Sequence, residues 1–170
     1  MREATYAVAL FLAVAVQTAV APLFRLGGAE ASVVMLFVMV VLMLEGPRPA
    51  MVAAPIAALL YAFAAGITPA LVLIGFVPLV MIGAWVEDLH WPVARFALVA
   101  TTFLAATAIL RLVLALGAVV QGADAAFWIL FSRVLLPGMV LDLALLAVAY
   151  APIRIGRIEL REMSLATMRY

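Results

Sequence analysis

The chain has 170 residues, of which 70% are hydrophobic and 11% charged, with a net charge of +1 and a mean hydropathy of +1.32. Soluble domains are about half apolar and a quarter charged, so this composition excludes a soluble globular protein and places the chain in a membrane. The length allows one helical bundle and no sizeable separate domain, and the absence of cysteine removes disulfides, thiolate metal sites and thiol nucleophiles.

A bilayer core of ~30 Å takes about 20 residues of helix to cross. Six apolar segments are set off by polar or Gly/Pro punctuation, at 4–24, 31–44, 50–65, 70–86, 96–120 and 126–151. They predict an all-α integral membrane protein, a single six-transmembrane-helix bundle over 1–153 with an arginine-containing tail over 154–170.

The first segment follows Arg2 and contains Ala19-Val20-Ala21, but it exceeds a signal core and more spans follow it, so it is read as a retained helix. Its pairs Ala9 with Ala13 and Ala15 with Ala19 give faces on which another helix can pack closely; lipid is the other natural neighbour of such faces. Segments two to four are short and span if flanking residues extend the helices or the bilayer thins locally. A re-entrant hairpin of segments two and three would bury Glu45 and Arg48 in hydrocarbon. Six spans leave the turn Glu45-Gly46-Pro47-Arg48-Pro49 in water and are preferred.

After segment four come Glu87, Asp88, His90 and Trp91. Carboxylate beside imidazole suits metal binding or proton exchange, but a wet interfacial turn with Trp91 at headgroup depth is the expectation. No nucleophile elbow, phosphate loop or HExxH is present, and no catalytic constellation emerges. The expectation is a protein that is not an enzyme and uses no cofactor or metal.

Arginines near the span ends set the orientation. One side holds Arg2, Arg48, Arg95, Arg154, Arg157, Arg161 and Arg169, and the other only Arg25 with the acidic Glu30 and Asp124. Both termini are therefore predicted to be cytoplasmic.

Inside the segments stand Gln17, Arg111, Arg133 and Asp142, and ionisable groups at membrane depth usually face a bundle interior or water. Counting a rise of ~1.5 Å per residue places Gln17, Arg111 and Arg133 in the outer half and Asp142 in the inner half. Arg133 and Asp142 would lie ~14 Å apart along one helix, on opposite faces, and are not expected to pair. The outer three either converge on an anionic or amide-bearing ligand or a partner helix, or the arginines snorkel to headgroups and pair with Asp124 and Glu30. Pro137 is expected to kink segment six near Asp142, which serves either as a proton relay or as a buried protonated acid.

The length, the six spans, Gln17-Thr18 running to Pro22 ahead of a glycine turn, and Leu136-Pro137-Gly138-Met139-Val140-Leu141-Asp142 running to Tyr150-Ala151-Pro152 together resemble the rod shape-determining protein MreD family. The chain departs from that family in carrying Gly28-Ala29-Glu30 where Pro-Asp is frequent, Ala58-Leu59-Leu60-Tyr61 in place of Gly-Leu-x-x-Asp, and aspartate at 142 where asparagine is common. The resemblance implies a non-enzymatic scaffold of the bacterial elongation machinery in the inner membrane. Its implied partners are MreC, RodA with its penicillin-binding transpeptidase, and, indirectly, MreB, with no nucleic acid involved. The tail arginines Arg154, Arg157 and Arg161 would then meet anionic lipid or a filament. The competing reading is a substrate-binding subunit of an energy-coupling-factor vitamin transporter, of similar size and helix layout, with Gln17, Arg111 and Arg133 as the ligand pocket.

Overall fold

The computed structural model describes residues 2–26, 28–86, 92–120 and 131–167, with side chains over 4–26, 28–81, 97–117, 119–120 and 132–152. Among the described residues six α-helices follow one another: α1 (Arg2–Ala15), α2 (Val33–Glu45), α3 (Pro47–Ala65), α4 (Pro69–Val86), α5 (Pro92–Val120) and α6 (Leu136–Thr167). No strand occurs among the described residues; Leu26 and Ala29 exchange two backbone hydrogen bonds of 3.0 Å around a tight turn.

Among the described residues four stretches are long and apolar enough to cross a membrane, Ala4–Leu23, Pro47–Ala65, Ala97–Gly117 and Ser132–Pro152, while Val33–Glu45 and Pro69–Met81 are shorter apolar helices. Their outward faces fit a lipid environment, with Phe11, Leu23, Phe63, Met81, Leu116 and Val148 exposed.

Helix α2 is the centre of the fold. It is apolar all round, as a buried helix should be, and it touches each of the other five helices. Val34, Met35, Val38, Met39, Val41, Leu42 and Met43 are all buried. Helix α3 lies against it and buries a stripe of small residues, Ala50, Ala54, Ala57, Ala58 and Ala62, of the kind that lets helix backbones approach closely. A single residue, Gly46, joins α2 to α3 at φ 92°, a conformation a side chain rarely adopts. Helices α4 and α5 are drawn together at Gly75, where a Cβ would lie 2.6 Å from Leu110 Cβ.

Two helices change winding. A π-helical turn Val16–Val20 follows α1, and another, Phe131–Leu135, precedes α6. Each is followed two residues later by a proline, Pro22 and Pro137, whose missing N–H leaves a carbonyl in the preceding turn without its α-helical donor. Within the first of these turns, Thr18 also donates its hydroxyl to the Val14 carbonyl at 2.9 Å. Pro137 thus marks a change from π to α winding. Past Pro152 the helix runs on to Thr167, so Arg154, Arg157 and Arg161 lie on an extension of α6.

Candidate functional site, a polar junction at the start of α2

At a rise of ~1.5 Å per residue, the 13 residues of α2 cover ~20 Å, well short of a bilayer core of ~30 Å. Its first turn therefore begins inside the protein. The free N–H groups of a helix start are costly in a dry interior, and Ser32, at the N-cap, does not cap them with its own side chain. Other helices supply the acceptors.

Gln17, brought inward on the π-helical turn after α1 and only 6% exposed, accepts hydrogen bonds through Oε1 from the N–H of Val33 at 2.5 Å and of Val34 at 3.4 Å. Asp142 on α6 is fully buried and accepts the Ser32 N–H through Oδ1 at 2.8 Å. The Ser32 hydroxyl lies 3.4 Å from its Oδ2. A carboxylate at a helix N-terminus also meets the positive end of the helix dipole.

Arg111 on α5 completes the junction. Its Nη1 stands 2.8 Å from Asp142 Oδ2, and its Nη2 donates to the Glu30 carbonyl at 2.7 Å. The guanidinium crosses α6 over Gly138, where a Cβ would stand 2.3 Å from Arg111 Cζ. Gly138 and Asp142 are four residues apart and share a helix face, so the glycine opens the lane along which the arginine reaches the aspartate. The junction matters most for α6: 17% of its membrane stretch is buried, against 39% for α5, so apolar packing holds it less firmly.

The bundle thus brings Gln17, Arg111 and Asp142 together around one helix end. Asp142 shares the level of Gln17 and Arg111, which counting along straight helices does not give. The reach of the arginine side chain and the inset start of α2 account for the difference. Arg133 is exposed on the π-helical turn before α6, away from this junction. On α1, Ala13 is buried and Ala9 half-buried beside Leu10 and Val14, whereas Ala15, and Ala19 on the π-helical turn that follows, are exposed. His90 and its neighbours Glu87, Asp88 and Trp91 lie outside the described residues, as does Asp124.

Sequence reasoning missed three contributors. The backbone of Ser32 was invisible because its role depends on where α2 begins. Gly138 carried a signal in its spacing of four from Asp142, and the alanine stripe of α3 in its helical period. At the far end of α2, the Tyr6 hydroxyl donates to Glu45 Oε1 at 2.6 Å, tying the start of α1 to the end of α2. Arg25 and Glu30 pair at 2.6 Å in the turn between α1 and α2.

Among the described residues no three His, Asp or Glu side chains converge as a metal site. The junction's two charges are directed at each other, an arrangement that fixes helices in place. Fold and junction together define an all-helical protein with helices able to cross a membrane, pinned by an internal ion pair. Comparisons with protein families, with curated proteins and with solved structures find no match to this chain.

Proposed function

We propose that the protein is a non-enzymatic scaffold of the bacterial cell-elongation complex in the inner membrane. It spans six times with both termini in the cytoplasm, and it associates with MreC and with RodA and its penicillin-binding transpeptidase, reaching MreB through MreC. The scaffold organises wall synthesis by binding. The arginine asymmetry supports the orientation, and an even number of crossings returns both ends to one side.

One observation carries the preference for a scaffold over a transporter subunit: Gln17 and Asp142 are turned onto the N–H groups at the start of α2, and Arg111 onto Asp142. The space beside Gln17 and Ser32 amounts to about 20 Å³, whereas small-molecule sites occupy ≈ 300–1,000 Å³ and need several convergent free polar groups. The polar interior serves the bundle, and the outward faces are apolar surfaces for lipid and partner helices.

Mild detergent extraction of the tagged protein from its own membranes, followed by mass spectrometry, tests this reading. Co-purification of MreC, RodA or the transpeptidase is the expected result. Recovery of paired ATPases with a coupling subunit, or of no wall-synthesis protein at all, overturns it.

A further inference from the structure

A small cavity of about 20 Å³ opens beside the junction, lined by Gln17, Ser32, Tyr61 and the apolar walls Val34, Met35, Phe76 and Leu110. Such a volume accommodates one water molecule, and a water is retained where two to four polar partners meet it. Three are present. Gln17 commits its Oε1 to the backbone of α2, which leaves its amide N–H groups as unmatched donors on a side chain only 6% exposed. The hydroxyl of Tyr61, the one polar side chain α3 contributes to the lining, also has no hydrogen-bond partner among the described residues. The Ser32 hydroxyl makes only long contacts, at 3.4 Å, to Asp142 and Arg111, so it has capacity as an acceptor.

We infer that this cavity is a specific site for a single bound water that joins α1, α2 and α3. The water accepts from the Gln17 amide and the Tyr61 hydroxyl and donates to Ser32 Oγ, which uses both of its acceptor sites and one of its two O–H groups, three bonds in all. The residues that α3 buries are otherwise all alanines, so the water gives this helix a polar tie to α1 and α2. The site rests on no assumption about partners.

Radiolytic footprinting of the purified full chain reads this site directly, because a bound water splits in the beam and oxidises the side chains touching it. Tyr61 and Met35 are expected to be oxidised on millisecond exposure although neither is freely exposed. After rapid mixing with H2 18O, their products are expected to retain oxygen-16 while those of Tyr6 near the helix end already carry oxygen-18. Tyr61→Phe, which keeps the ring and removes one ligand, lowers oxidation of Met35 several-fold without altering the elution volume in detergent. Unlabelled Tyr61 and Met35, oxygen-18 uptake as fast as at Tyr6, or unchanged Met35 labelling in Tyr61→Phe would each overturn the inference.

Discussion

Arg111 and Asp142 face each other at 2.8 Å in the interior of the bundle, one from α5 and the other from α6. A pair this deep is not a simple gain, since removing two charges from water costs about as much as their attraction returns. Its value lies in what a mismatch costs: α6 in a wrong register would leave a charge unpaired.

Asp142→Asn keeps an acceptor for the Ser32 N–H but leaves Arg111 uncompensated. It is expected to lower stability by about 3–5 kcal/mol, the usual cost of breaking a buried pair. Adding Arg111→Met should recover much of the loss, with a coupling of about 1–3 kcal/mol between the two sites. Thermal or denaturant unfolding in detergent of both single variants and the double variant measures it; simple additivity would argue that the pair is energetically irrelevant.

Gly138→Ala places a methyl group where the Arg111 guanidinium now passes, 2.3 Å from Cζ. The arginine must leave Asp142, so a loss of about 2–4 kcal/mol is expected, combining overpacking with a disturbed ion pair. In an Arg111→Met background the same change should be milder, because a methionine can withdraw. Equal losses in both backgrounds would point to a backbone effect instead.

Gln17→Leu removes the acceptor for Val33 and Val34 and is expected to cost about 1–2 kcal/mol, as for loss of a helix cap. Hydrogen exchange at the Val33 and Val34 amides should accelerate while exchange at the middle of α2, around Met39, changes little. Unaltered protection at Val33 and Val34 would contradict the capping role.

The natural absence of cysteine makes single-cysteine mapping of the orientation direct. Leu26→Cys, in the outer turn, should react with an impermeant maleimide in intact spheroplasts, and Pro49→Cys only after the membrane is opened. The reverse pattern would invert the proposed topology.

Much of the helical layout is legible along the chain. Glycine and proline set the turn at Gly46-Pro47, and apolar runs of sufficient length locate α1, α3, α5 and α6. The central position of α2 was less visible, because in a membrane a wholly apolar helix faces lipid as readily as protein. Of the candidate site, Gln17, Arg111 and Asp142 stood out by their chemistry, a polar group in hydrocarbon being too costly to leave unexplained. Their partnership did not stand out, since depth counted at ~1.5 Å per residue ignores the length of an arginine side chain and the inset start of a short helix.

By itself, then, the sequence determined that the chain is helical and apolar enough for a membrane, and which few polar residues had to be satisfied inside it. Only the tertiary structure decided how: it set the start of α2 within the bundle, turned Gln17 and Asp142 onto its free N–H groups, and laid Arg111 across Gly138. The physical reason is that periodicity and composition act locally, whereas a buried hydrogen bond or ion pair is matched between residues as far apart as Ser32 and Asp142, 110 positions along the chain.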